Sequence, residues 1–303
     1  MVAVFGQIIN IGYELEFYLF NSAGNAFEQI IDDCNQSPLF KKNFGEIKKE
    51  HGNGQFEIAS KIFHSKSDCT NNIEEFKNFL LQYSSERRLE LIWDSVIMKD
   101  EPSSSLQFSV SFNNTDCNSI LVLNAIQGIL EALKLKSNID ILLPTQDCKQ
   151  RIIDSRIVKK YLNVPATISW SLNNNRTTAI RLVISKGGIF DFEALKSKQN
   201  NVQKTFTSKI LNNIVKPRIS FENDIKQNLT NSKSNFNIDT SEIEDFLPNY
   251  RIEFRVASSI SNPDMVVDML FKAIKHGIKL NLVPNDPIFG NSFDQHYKLQ
   301  SIA

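Results

Sequence analysis

Apolar and polar residues alternate with a period of two over 250–256: Ile252, Phe254 and Val256 face one way, Arg251, Glu253 and Arg255 the other. That period predicts a strand with one side in a core. The other side carries Arg, Glu, Arg, a set suited to gripping phosphate, carboxylate and metal together. Taken alone, its plainer reading is a solvated sheet face with a cross-strand ion pair. The pattern recurs, however. Over 6–20, Tyr13, Leu15, Phe17 and Leu19 oppose Glu14, Glu16, Tyr18 and Phe20. Over 106–112 the polar side is Gln107, Ser109 and Ser111. The stretch 166–172 is strand-like around Trp170, and 89–97 is apolar and strand-like. After an asparagine-rich turn carrying Arg176, a strand over 177–184 includes Arg181.

Between these strands the spacing turns helical. Helices are predicted over 26–34, 72–83 and 120–135; the stretches 140–144 and 151–161 carry weaker signals that assign no element type. Asn262-Pro263 starts a further helix, which His276-Gly277 is expected to end. Gly52 and Gly54 permit a tight turn flanked by Glu50 and Glu57, so that Gln55 and Glu57 share a strand face. His51 beside them reads as a surface or hydrogen-bonded histidine rather than a ligand. From 196 to 249 composition shifts to Lys, Asn, Ser and Gln, which predicts an insertion, with lid, partner surface and plain elaboration as its readings.

Composition narrows the classes. The 303 residues carry 34 Lys+Arg and 34 Asp+Glu, so no global field draws nucleic acid or an anionic membrane. Four cysteines (Cys34, Cys69, Cys117, Cys148) form no CxxC pair, which disfavours zinc and disulfides and fits a reducing compartment. No apolar run approaches a membrane span, and the N-terminus lacks a signal-peptide pattern. The expectation is a cytoplasmic protein with no nucleic-acid or membrane partner. The chain has no Walker-type loop, no GxGxxG, no nucleophile elbow and no assignable Ser/His/Asp set.

Several strands therefore present Glu14, Glu16, Gln55, Glu57, Gln107, Ser109, Ser111, Arg181, Arg251, Glu253 and Arg255, with Glu50 nearby. Carboxylates gathered in one sheet cavity repel one another unless cations intervene, and an oxygen-rich site selects magnesium or manganese over zinc. Metal ions and arginines around phosphates are the apparatus of phosphoryl transfer. Four motifs, in this order, resemble the catalytic domain of glutamine synthetase. They are Gly-x-Glu-x-Glu-Phe-x-Leu-Phe from Gly12, Glu-x-Gly-x-Gly-Gln-Phe-Glu from Glu50, Asn-Arg-Thr-x-x-Ile-Arg from Asn175, and Arg-Ile-Glu-x-Arg from Arg251 with Asn-Pro following.

The resemblance implies an α+β fold: a curved antiparallel sheet forming a partial barrel with packed helices, as one catalytic domain over 1–303 with the insertion at about 196–249. It implies Glu16, Glu50 and Glu57 on a first metal, and Glu14 and Glu253 on a second. Arg176, Arg181 and Arg251 fall where the family handles ATP phosphates and the acyl-phosphate, with Ser111 also toward the nucleotide, and Arg255 where it holds the acyl substrate. ATP would activate a small-molecule carboxylate to an acyl-phosphate that ammonia or an amine attacks. The family's Gly-Ser-Gly-Met-His-x-His stretch reads Ser103-Ser104-Ser105-Leu106-Gln107-Phe108-Ser109 here, leaving Gln107 as the remaining metal donor at that place. The Asn-Gly loop is replaced around Pro102-Ser103, the flap glutamate has no counterpart in 160–165, and the resemblance starts at the first catalytic strand, so the expectation is a catalytic domain without the family's small N-terminal domain. A monomer or small homo-oligomer is the corresponding expectation. Three functions remain open: a carboxylate–amine ligase with an altered substrate, a pseudoenzyme that binds nucleotide or metal, and a phosphotransferase of the related guanidino-kinase architecture.

Overall fold

The computed structural model describes residues 3–4, 7–93, 102–112, 119–157, 165, 167–172, 175–184, 250–282, 284–285, 287–288, 292 and 297–302. The chain divides into two compact units, Met1–Val183 with Tyr250–Ala303, and Ile184–Asn249. The insertion expected at 196–249 lies outside the described residues. The first unit holds the sheet and its helices.

Strand β2 (Gln7–Phe20) is the spine. Ile9, Ile11, Tyr13, Leu15, Phe17 and Leu19 are all buried along one side, as the alternation requires. On one flank β2 pairs antiparallel with β4 (Gln55–Ala59), which pairs with β3 (Glu46–Lys49). On the other it pairs with β6 (Leu106–Phe112), and beyond β6 come β9 (Tyr250–Phe254), β8 (Thr178–Ile184) and β7 (Thr167–Leu172). The short strands β1 (Ala3–Val4) and β5 (Glu90–Ile92) add to β2. The order ends at β3 on one side and β7 on the other, so the sheet stays open. It is antiparallel throughout its centre, while β7 and β8 run parallel at the margin. Arg255 N–H donates to Ala179 O (3.1 Å), seating the end of β9 beside the start of β8. Those neighbouring strands therefore run antiparallel.

Helices α1 (Gln29–Asn35), α2 (Pro38–Asn43) and α3 (Lys66–Arg87) cover one end of the sheet. Their cement is aromatic: Phe76 of α3 meets Phe17 at 6.1 Å, Phe40 at 6.3 Å and Phe44 at 5.6 Å between ring centroids. Helix α1 starts later than the expected residue 26, because Ala26 and Phe27 still bond to the end of β2. Helix α3 outruns the expected 72–83 at both ends. Ser65 caps it by accepting from Asp68 N–H at 3.3 Å, and Arg88 ends it in the left-handed region at φ 55°. The strand expected over 89–97 is described only as Glu90–Ile92, and residues past Trp93 fall outside the described set.

Helices α4 (Ser119–Leu133), α5 (Lys136–Leu142) and α6 (Gln146–Ile157) follow β6, and α7 (Pro263–Lys279) follows β9. Asn262 caps α7, its side chain accepting from Met265 N–H at 3.0 Å. The sequence placed the end of α7 at His276-Gly277, and the structure corrects it. Gly277 is helical, and a Cβ there would lie 2.0 Å from Asn124 O; one on Gly128 of α4 would lie 2.2 Å from Ala273 O. Two glycines face each other so that α4 and α7 cross backbone to backbone. Close packing, not helix termination, explains Gly277. Among the described residues no helix is long and apolar enough to cross a membrane.

Candidate active site

Cross-strand register builds the site. Glu16 stands opposite Glu57, Glu14 opposite Gln107, and Ser109 is opposite Gly12 on one side and Glu253 on the other. Residues two apart on a strand share a face. Glu14, Glu16, Glu57, Gln107, Ser109, Ser111, Arg251, Glu253 and Arg255 therefore meet on one side of the sheet, with opposed Cβ atoms about 5 Å apart. The partly buried Arg181 joins them from β8 by pairing with Glu253. The other side of the same strands is core: Leu15, Phe56, Phe108, Ile252 and Phe254 are at most 1 % exposed.

The acidic half is short of positive charge. Burial, then the charges of Glu14, Glu16 and Glu50, push the Glu57 carboxyl up to about 9, with Lys48 opposing. Glu14 is raised by burial and by Glu253, with Arg251, Arg181 and Arg255 opposing. Glu16 is held in place: Oε2 accepts from the N–H (2.7 Å) and hydroxyl (2.8 Å) of Ser105, and Oε1 accepts from Gln107 Nε2 at 3.3 Å. Glu50, just past the end of β3, bonds its carboxylate to His51 Nδ1 at 2.7 Å. His51 is exposed, as its surface reading anticipated.

The basic half centres on Glu253, which is 1 % exposed. Arg181 Nη2 donates to its Oε1, Arg255 Nε lies 3.3 Å from the same oxygen, and Arg251 Nη2 lies 3.8 Å from Oε2. Burial and the neighbouring Arg181 charge lower Arg255 to about 10, against the pull of Glu253 and Glu16. Arg255 Nη1 also donates to the carbonyl of Arg176 at 2.7 Å. Arg176 itself is exposed in the turn before β8, so it reaches the cluster through its backbone carbonyl and its charge. Glu253 Oε2 and Arg181 Nε are buried and have no hydrogen-bond partner among the described residues.

A cleft of about 170 Å³ opens beside Glu14, lined also by Asn10, Ser60, Ser109, Ser111 and Arg251. Two residues expected to face a nucleotide, Ser111 and Arg251, line it, whereas Arg181 lies deeper with Glu253. Among the described residues no three His, Cys, Asp or Glu side chains form a ready metal cage. Magnesium asks for less, since it commonly uses one or two carboxylates, several waters and substrate phosphates. A directly opposed carboxylate pair under mutual repulsion, and a buried carboxylate oxygen without a donor, fit a hard divalent cation.

Two contributors were not singled out by the sequence. Ser105 fixes Glu16 through both its N–H and its hydroxyl, and Ser103 O accepts from Gln55 Nε2 at 3.3 Å. The Ser103–Ser105 run was aligned with the family's Gly-Ser-Gly-Met-His-x-His stretch but given no role of its own; its position against Glu16 depends on how β6 enters the sheet.

The open sheet with its covering helices is a glutamine synthetase-like catalytic fold, shown by comparison with solved structures. The chain matches GmaS free of ligand (14% identity, TM-score 0.59, 97% of this chain and 59% of that one) and a GmaS/ADP complex (14%, 0.62, 97% and 60%). It also matches a novel glutamine synthase homologue (12%, 0.57, 92% and 56%). The chain thus spans about three fifths of the length of these structures. No protein-family model and no curated protein matches the sequence.

Proposed function

We propose that the chain is an ATP-dependent carboxylate–amine ligase that works with magnesium or manganese. The observation that supports it most is the register placing Glu16 against Glu57, with the Glu57 carboxyl driven up to about 9, on the same sheet face as an arginine set. Surplus negative charge on one half and guanidinium groups on the other suit a metal–phosphate pair lying between them. ADP bound to GmaS, a protein of the same fold, favours a nucleotide here.

In the proposed reaction a carboxylate oxygen attacks the γ-phosphorus, the bond to the β-phosphate oxygen breaks, and ADP leaves. Ammonia or an amine then attacks the acyl carbon, loses a proton, and phosphate departs. Arg255 orients the carboxylate, and Arg251, Arg181 and Arg176 take the phosphoryl charge, with Ser111 in the nucleotide cleft. Magnesium or manganese, which Glu16, Glu57 and Glu50 and the pair Glu14 and Glu253 would hold, would supply charge neutralisation at the phosphates when bound.

A second reading is a relative that binds nucleotide or metal without ligating. It is favoured by one observation: the Gln107 carbonyl oxygen, at the place where the resemblance expects a metal-binding histidine, already accepts from Arg255 Nε at 3.0 Å. Thermal unfolding with ATP plus magnesium tests the shared part of both readings. The wild type should gain several degrees, and Glu16→Ala should gain none. ADP release that requires both a carboxylate and an amine supports the ligase. Nucleotide-induced stabilisation with no such turnover supports the binder, and no stabilisation at all contradicts both.

A further inference from the structure

Gln107 is 6 % exposed and stands between the two halves of the site. Its amide uses every strong group it has. Nε2 donates to Glu16 Oε1 (3.3 Å) and to Ser105 Oγ (3.1 Å), while Oε1 accepts from Arg255 Nε (3.0 Å). The orientation is dictated by charge. A flipped amide would aim its oxygen at the Glu16 carboxylate and its NH2 at the Arg255 guanidinium. The side chain passes over its direct cross-strand neighbour Glu14 to reach Glu16, the residue opposite Glu57.

From this we infer that Gln107 is a positioning residue that couples cation binding at Glu16 to anion binding at Arg255. The inference rests on the proposed cation site at Glu16 and Glu57. The bonds Arg255–Gln107–Glu16 form a chain in which each polarises the next, so losing one weakens the other. A cation that draws charge from Glu16 loosens the amide's hold on Arg255 Nε. An incoming carboxylate then competes for that N–H, whose nitrogen also lies 3.3 Å from Glu253 Oε1, with one of its two acceptors weakened. Coupling is reciprocal by thermodynamic linkage: bound carboxylate must tighten the cation by the same factor. A histidine could not serve here in the same way, because a neutral imidazole has one donor and one acceptor and would leave one of the three bonds unmade.

The test is manganese binding, followed by electron paramagnetic resonance, with and without small carboxylates (acetate, glycine, L-glutamate) at concentrations corrected for their own chelation. In the wild type at least one carboxylate should tighten manganese by roughly threefold or more, beyond what the direct attraction of the two ligands gives. Gln107→Met, of similar volume and without the amide, should retain manganese binding and lose that excess. Gln107→Glu provides a second check: it keeps an acceptor for Arg255 but repels Glu16, so it too should break the coupling, while binding manganese at least as tightly. Circular dichroism confirms that both variants are folded. An unchanged coupling factor in the folded variants overturns the role of Gln107 and leaves the cation site standing. No carboxylate effect in the wild type also overturns it. No manganese binding in the wild type overturns the cation site and this inference together.

Discussion

Glu57 sits on a strand face where three other carboxylates act on it, and its proton is retained well above the usual range. Its carboxyl is raised from about 4.5 to about 9, so the folded state holds a proton that the unfolded chain has released. The stabilising proton is fully in place below about pH 4.5 and is lost as pH climbs through about 9. In the absence of divalent cations the protein should therefore lose stability steadily across that window. Glu57→Gln should flatten the decline, though not abolish it, because Glu14 is shifted in the same direction. Denaturant midpoints at pH 6, 7.5 and 9 check this, and an unchanged slope in the variant contradicts it. Glu253 has guanidinium neighbours instead of carboxylates. It is buried between Arg181 and Arg255, and Glu253→Ala strands two guanidinium groups in the interior. A loss of about 3–5 kcal/mol in urea unfolding is the expected outcome. These charges were legible in the sequence as residues on alternating strands. Their pairing was not, because which arginine meets which carboxylate depends on register between strands far apart in the chain.

At the scale of elements, the crossing of α4 and α7 is governed by Gly128 and Gly277. Alanine at either position gains helix propensity of about 1 kcal/mol and loses more by forcing the helices apart, since its Cβ would land within 2.2 Å of a facing carbonyl oxygen. Gly128→Ala and Gly277→Ala should each lower stability by a net of about 1–3 kcal/mol, and calorimetry measures it. A stabilised variant would mean that the helices are not in backbone contact. Periodicity located β2, β4, β6, β8, β9 and the bodies of α3, α4 and α7. It misread Gly277 as a stop because a lone glycine after histidine looks the same at a helix end and at a helix crossing. The extra turns of α3 were missed because Lys66–Asn71 offers few apolar positions, although Ser65 and Asp68 mark a cap.

For the molecule as a whole, the chain leaves β8 and returns in β9, two neighbouring antiparallel strands with the 184–249 unit between them in sequence. Replacing residues 186–248 by a short turn should leave the first unit folded, because a hairpin needs only a few residues at that point. Far-UV circular dichroism and a cooperative unfolding transition test it; loss of the transition would show that the two units fold as one. The fold class was legible from four motifs in order, since each sits where the sheet must present polar groups and the intervening periods fix strand or helix. The contacts of Gln107, Ser105 and Arg176 were not, because they form between segments far apart in the chain. Acids from three strands, β2, β4 and β9, with Glu50 beside them, are proposed to hold divalent cations. Manganese binding at pH 7.5 to the wild type and to Glu57→Gln, read by electron paramagnetic resonance with ATP present, measures this most directly. A saturable site in the wild type, weakened at least tenfold in the variant, is the predicted result. Equal manganese affinity in the two proteins would contradict it.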